Sequence, residues 1–448
     1  LAAPQVTGTY GTGIGPQHTY VVKKLLDYAK PMMPLHTYAT KKFIPLNSGK
    51  IAQFTRVMHL DPVTSAGSEG AALTMKEPYA QDFTATVAEW ENGISVSTLL
   101  DDTFITPALV AYLEILGINL GESMQLELYK TLWGPNLDAS TQDAAIGCIP
   151  LIFDESQLST NNMNVLCTTS GSTTTFVSTT LYTGNGALND SYIGGGFMVI
   201  DPKSPLYGKG RRISDSTSST GILTTTFAAT PAIPWGSYDG TTSSDTTEAY
   251  CSNFGTAAGS TYPALGLTQG TDILNAVALR KADMILRKCS APPMSGPYYV
   301  ALAGPKDYSD LLSDSDSPGG FLDSNRYTNP QPIFENEIGR IGGCIVVLDT
   351  RPYHLDETAS ATTIGDYAAG GKLGFTPVLG KGAFGCVGLQ GQLATGQSDT
   401  NVIIKRPGPQ TTSDPTNKFC TAAWKTTFAR LSLDGTRAVG IITYPTEL

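Results

Sequence analysis

Seven apolar residues, Leu109, Leu113, Leu116, Leu120, Met124, Leu128 and Leu132, recur at steps of three or four between Thr106 and Gly134. That spacing keeps them on one stripe of a helix, and a strand of period two cannot present it. Thr106 is suited to cap the start and Pro107 to occupy the first helical position. Gly134-Pro135 supplies the stop. The spacing predicts a helix of about 27 residues, about 40 Å long at 1.5 Å per residue, more than twice the ordinary globular length. Gly117 and Gly121 weaken it locally, so a closely packed neighbour is expected at both. Such a helix is either ordinary core or the spine of a larger arrangement, and its flanks decide between the two.

Those flanks are not helical. Of 448 residues only 15% are charged, against a usual quarter, and 47 glycines with many Thr and Ser indicate strand and loop. The length suits two or three domains or one elaborated domain. A net charge of −10 argues against bulk attraction for nucleic acid, which needs clustered Lys and Arg. The same balance suits a wall to which a polyanion does not stick. Seven cysteines, at 148, 167, 251, 289, 344, 386 and 420, lie far apart without a CxxC pair, so buried reduced thiols are expected rather than zinc or a disulfide framework. No apolar run approaches the length of a membrane span, and no signal-peptide pattern opens the chain.

In chain order, residues 1–19 read as an extended Gly/Thr/Pro-rich arm, and Tyr20–Lys30 as a short amphipathic helix stopped by Pro31 and Pro34. Ile51–Val57 and Phe83–Trp90 alternate, and the polar stretch between them makes a long hairpin with a loose tip, or else two strands of an ordinary sheet. An isolated ribbon is marginal in water, so its apolar face and edges need another surface, which a neighbouring copy can supply. Beyond Ile149–Phe153, residues 155–262 turn rich in Thr, Ser, Gly and Asn and read as an inserted, surface-facing β-rich unit, with Phe197–Ile200 and Trp235 as its small core. Thr271-Asp272 is placed to cap a helix with Leu274, Val277, Ala278 and Ile285 inward. Tyr298–Ala303, Pro305–Leu311 and Ile345–Leu348 follow as strand, helix and strand of a compact α/β unit.

Several motifs tempt without adding up to an active site. Gly380-Lys-Gly382-Ala-Phe-Gly385-Cys-Val387 matches a kinase glycine loop, yet no HRD or DFG accompanies it and too little chain follows. Its glycines better serve close backbone packing at a turn. Ser48-Gly49-Lys50 lacks the first glycine of a phosphate loop. His18, His36, His59 and His354 show no metal or nucleophile spacing. Asp101-Asp102 fits charge at a helix start, and Asp310, Asp314 and Asp316 lack the glycine and terminal Glu of a calcium loop. No catalytic residue, cofactor or metal is expected.

The order of features is arm, long hairpin, very long helix, α/β unit with insertion, and closing strands. It resembles the tailed-phage major capsid proteins of the Hong Kong 97-type fold, and among them the family typified by the capsid protein of phage N-four. The resemblance rests on four blocks in shared order. They are Lys42-Phe43-Ile44-Pro45-Leu46-Asn47-Ser48-Gly49-Lys50 with Phe54 and Arg56; Glu337-Ile338-Gly339-Arg340-Ile341 ahead of Cys344; Gly380 to Gly385; and Asp414-Pro415-Thr416-Asn417 through Trp424-Lys425 to Phe428, closing on Ile441–Pro445. The resemblance implies an α+β fold with an N-terminal arm and short helix at 1–40, an extended hairpin loop at 41–97 and a spine helix of a peripheral domain at 98–135. An axial domain at 136–400 then carries the insertion at 155–262, and peripheral return strands fill 401–448. It implies Pro45, Asn47, Gly49, Lys50, Phe54, Arg56, Glu337, Gly339, Asp414, Pro415, Trp424, Lys425 and Phe428 as assembly positions. It also implies a non-enzymatic subunit whose partner is itself, in hexamers and pentamers of an icosahedral shell around double-stranded DNA, with decoration or portal proteins as further partners. Such a shell forms in the host bacterial cytoplasm and persists as the virion. The rivals are a hydrolase with a β-rich binding insertion, and a tail or decoration protein.

Overall fold

A computed structural model describes residues 33–45, 48–57, 80–97, 108–133, 145–152, 162–166, 173–178, 196–217, 222–225, 248–252, 270–313, 337–356, 372–389, 401–405 and 419–446, apart from 203, 205 and 353, together with Leu25, Tyr28 and Ala29. The predicted arm, the hairpin tip, both caps of the long helix, Cys167, Trp235 and the Asp314–Asp316 cluster lie outside the described residues.

The first part of the chain runs α1 (Pro34–Tyr38), β1 (Thr40–Ile44), β2 (Ile51–Val57), β3 (Ala80–Thr86), β4 (Ala88–Ser97) and α2 (Ala108–Trp133). After the short strands β5 (Ala145–Ile146) and β6 (Ile149–Ile152) comes the insertion. It comprises β7 (Asn162–Leu166), β8 (Thr175–Val177), β9 (Gly196–Val199), β10 (Gly210–Thr217), β11 (Ile222–Thr225) and β12 (Glu248–Ser252). Next are α3 (Ala276–Lys288), β13 (Tyr299–Ala303), α4 (Pro305–Ser313), β14 (Glu337–Ile341), β15 (Cys344–Leu348), β16 (His354–Asp356) and β17 (Lys372–Leu379). The chain closes with β18 (Phe384–Leu389), β19 (Asn401–Lys405), the 14-residue β20 (Phe419–Ser432), a 3-10 turn at Gly435–Arg437 and β21 (Ala438–Thr443).

The fold is mixed α+β, and α2 runs through both of its principal cores. Leu113, Leu116, Leu120 and Met124 pack with Val96, Cys420, Trp424 and Phe428 under the five-stranded sheet β1-β18-β20-β19, in which β4 also pairs β20. Further along, Leu128, Tyr129, Leu132 and Trp133 enter the core of the mixed sheet β14-β15-β13-β17-β21-β6, where Trp133 and Tyr129 lie 5.9 and 6.1 Å from the Phe375 ring. One stripe of period 3.6 thus ties two cores together. In the mixed sheet, β13, β15 and β21 are near-continuous apolar runs covered on both faces, and the pairs β13–β15 and β6–β21 are parallel, as fully buried strands permit.

The expected close neighbour of the helix is present at Gly117. A Cβ there would lie 2.7 Å from the Leu25 carbonyl oxygen and 2.9 Å from Tyr28 Cβ, both fixed by helical backbone. Gly117→Ala is therefore expected to lower stability by about 1–3 kcal/mol through overpacking, although alanine is worth about 1 kcal/mol more than glycine in an open helix. Thermal denaturation checks the sign, since a rise in melting temperature would mean that Leu25 and Tyr28 do not sit there.

Four expectations are corrected. The ends of the 41–97 stretch are not ribbon: β1 and β4 belong to the five-stranded sheet, and among the described residues the ribbon pairs from Ile51↔Thr86 to Val57↔Ala80. The run Phe83–Trp90 accordingly breaks at Val87, which is buried and donates its N–H to the Lys50 carbonyl. The α3 cap is Asn275, whose side chain accepts from Ala278 N at 3.0 Å; starting four residues later than Thr271-Asp272 turns Val277 outward, to 39% exposure. Finally, the described insertion is not surface-facing throughout. Met198, Ile200 and Tyr250 are in the main core, and β10 pairs β5, because β9 is apolar at every position and must be covered on both faces. Phe197 packs instead against Phe176 of β8, with ring centres 5.7 Å apart.

Candidate assembly surface

Alternation sorts the ribbon into two faces. Ala52, Phe54 and Arg56 of β2, with Gln81, Phe83 and Ala85 of β3, point one way; Ile51, Gln53, Thr55 and Val57, with Ala80, Asp82, Thr84 and Thr86, point the other. The first face needs a covering surface, which a neighbouring copy could supply. It is instead docked on its own body, where Ala52 and Ala85 are buried among Ile44, Val87, Val387 and Ala429. The second face is uncovered: Ile51 and Val57 stand 61% and 62% exposed at its two ends. Between them the Thr55 hydroxyl donates to Asp82 at 2.6 Å and holds that carboxyl below its ordinary range. Phe43 on the edge strand β1 is 51% exposed, and beside it Lys42 reaches over the Phe54 ring at 4.9 Å and donates to the Gln53 carbonyl. A second set, Ile403, Ile404 and Phe419, is exposed on β19 and the start of β20. Apolar side chains on sheet edges are templates for another chain.

Arg56 clamps the tip-ward end of the described ribbon, where it pairs with Gln81. Its guanidinium pairs with Asp434 at 3.1 Å, donates to Gln81 Oε1 at 3.1 Å and to the Tyr207 carbonyl, and lies 5.3 and 5.1 Å from the Phe83 and Tyr207 rings. Asp434 in turn caps the 3-10 turn through Thr436 N, accepts the Thr436 hydroxyl at 2.6 Å, and has Oδ2 3.0 Å from Arg437 Nε as an ion pair without hydrogen-bond alignment. The Tyr207 hydroxyl is 2.9 Å from Thr436 Oγ1, and burial, then Asp434, push it up to about 12. Gly208 fits at this crossing for two reasons. Its φ is +72°, and a Cβ would lie 2.7 Å from both Arg56 and Asp434.

The predicted positions therefore separate. Phe54 and Arg56 share the ribbon's inner face, two residues apart on β2. Gly49, with φ +95° and open space around it, and Lys50 sit at the end where Val87 closes the pairing; Pro45 precedes them, directly after β1. Trp424 and Phe428 are core residues: Trp424 Nε1 donates to Asn119 at 3.3 Å, and Phe428 lies 5.4 Å from Trp90. Lys425 pairs with Glu89 across β20 and β4. Glu337 and Gly339 flank a bulge in β14 at the edge of the mixed sheet, away from the others. Asn47, Asp414 and Pro415 lie outside the described residues. Sequence reading missed Tyr207, Lys209, Asp434 and Arg437, although Lys209-Gly-Arg211-Arg212 is a dense basic run in a chain so poor in charge.

Burial raises the thiols of Cys289 and Cys344 to about 12 and pushes Cys251 higher still. None of the described helices is long and apolar enough to cross a membrane.

No protein-family profile matches the chain, and no curated protein sequence matches it either. Among solved structures it is similar to the capsid of Ralstonia phage GP4, with 12% identity over 92% of this chain and 88% of that one and a TM-score of 0.47. It is also similar to the capsid of cyanophage P-SCSP1u, with 12% identity over 91% and 87% and a TM-score of 0.45. A third similar structure is the acid-stable capsid of Helicobacter pylori bacteriophage KHP30, with 8% identity over 92% and 91% and a TM-score of 0.44.

Proposed function

We propose that this chain is the major capsid protein of a tailed phage, a structural subunit that assembles with copies of itself into an icosahedral shell. The observation that carries the reading is the ribbon β2–β3. Its inner face is held on its own body, while Ile51, Val57 and the adjoining Phe43 are left for another molecule. Clamping at Arg56 presents that outer face as a rigid strut, so little ordering entropy is lost when a neighbour docks. Hexamers and pentamers built this way share many modest contacts that hold collectively. Residues such as Pro45, Gly49 and Lys50 set the strut's angle, and the return strand β20 carries Trp424, Lys425 and Phe428 to support it. The net charge of −10 suits an inner wall over which packaged DNA moves without sequence-specific binding. A role without catalysis is supported by the cysteines, since raised thiols at 251, 289 and 344 run opposite to an activated nucleophile.

Light scattering and negative-stain microscopy of the purified chain test this. Megadalton shells are expected, and a stable monomer of 47.3 kDa under all assembly conditions would overturn the proposal. The double variant Ile51→Asp, Val57→Asp is expected to raise the concentration needed for assembly by at least about tenfold, because charge replaces apolar surface at the contact. Its melting temperature as a monomer should be unchanged, since both side chains already face water.

A further inference from the structure

Between the ribbon, α2, the insertion and β20 lies a cavity of about 460 Å³. Four cations, Lys130, Lys209, Arg211 and Arg430, line it together with the apolar Phe83 and Ile146. Among the described residues no carboxylate lines it; Glu127, which pairs with two of the cations, has both oxygens engaged, Oε1 by Lys130 at 2.8 Å and Oε2 by Arg430 at 2.7 Å. Four cations against one carboxylate leave a formal excess of three positive charges.

Lys209 and Arg211 carry most of that excess. The Lys209 ammonium lies 4.1 Å from the Phe83 ring centre, and burial, then Arg56 and Arg211, lower it to about 8. Arg211 donates to the Gly210 carbonyl at 3.0 Å, while its buried Nε has no partner; burial lowers its pKa too. Among the described residues neither cation faces a carboxylate. Two like charges half out of water repel each other, a cost that native structures rarely carry without compensation.

We propose that this cavity is a binding site for a small multivalent anion of the phosphate class, held by Lys209 and Arg211 with Lys130 and Arg430 beside them. A monovalent carboxylate would leave most of the excess uncompensated, whereas a pyrophosphate-like group carries charge to match it. The planar, forked guanidinium suits tetrahedral oxyanions. The volume fits a small molecule and is too confined for a duplex. The occupant would touch all four elements at once, so binding stabilises the fold by mass action. The proposal stands whether or not the chain forms shells.

The test uses the full chain, unassembled, at neutral pH, titrated with pyrophosphate or inorganic phosphate against sodium chloride of equal ionic strength. Calorimetry and thermal denaturation are read together. Pyrophosphate should raise the melting temperature saturably, and more than phosphate does. Lys209→Met with Arg211→Met should weaken binding by at least about tenfold, the loss of two charge-assisted contacts. The unliganded double variant should melt no lower than the parent, because it removes a repelling pair. Lys381→Met, an exposed cation elsewhere, should respond like the parent. Equal responses in parent and double variant, or a parent response no larger than that to chloride, would overturn the site. Should the double variant fold poorly, Lys209→Met alone decides, because unchanged pyrophosphate affinity there is equally fatal.

Discussion

Replacing Asp434 with alanine is expected to lower folding stability by about 3–5 kcal/mol, the range for removing one partner of a buried ion pair. Its side chain is 3% exposed and that of Arg56 14%. Alanine would leave Arg56 under the ribbon without its counter-charge, strip Arg437 of its partner at 3.0 Å, and uncap the turn at Thr436. Asp434→Asn keeps a cap but loses the charge, so it should fall between parent and alanine. Arg56→Met should be milder than either, because Arg437 still faces Asp434 and the thioether packs between the Phe83 and Tyr207 rings. Urea denaturation gives the order. Limited proteolysis around Phe83 reports whether the ribbon lifts off the body. If all three variants fall within about 1 kcal/mol of the parent, Arg56 does not clamp the ribbon.

This clamp also marks where sequence reading stops. In the sequence Arg56 stands only as one residue of the Lys42–Arg56 block, but its partners Tyr207 and Leu433 lie 151 and 377 residues away, and neither periodicity nor spacing reports so distant a contact. Local regularities were readable. The stripe from Leu113 to Leu132 is buried as its period required, and Gly117 has its close neighbour. Readings that depended on where a pattern begins failed by a few residues, as at Asn275, because several residue types can cap and only tertiary packing selects one. Composition misled at the insertion. Its abundance of Thr and Ser read as surface, yet the few apolar residues of β9 are what anchor it, through Met198, to the main core. The ribbon's inner face misled for a related reason: alternation shows that a face must be covered, and not by which chain.

A last expected result concerns acid. His36 lies in α1, and burial, then the nearby Lys41, lower its imidazole from 6.5 to about 4. A group whose folded pKa is depressed takes up its proton more readily when unfolded. Its contribution is therefore complete above pH 6.5 and is lost progressively as pH falls towards 4, below which both states are protonated. A shift of that size corresponds to roughly 3 kcal/mol between the two ends of the window. α1 is fastened to the spine helix through Leu35 N, which donates to Gln125 Oε1 at 3.2 Å, and Gln125 passes the connection to Asp349 at 2.8 Å. Charging His36 should therefore loosen α1 from the spine helix. Urea denaturation of the parent and of His36→Gln at pH 7, 6, 5 and 4 separates this effect from that of the carboxylates, which titrate alike in both proteins. The parent should lose roughly 3 kcal/mol more than the variant between pH 7 and pH 4. Parallel pH profiles would mean that the imidazole is solvated and that α1 does not hold it against the body.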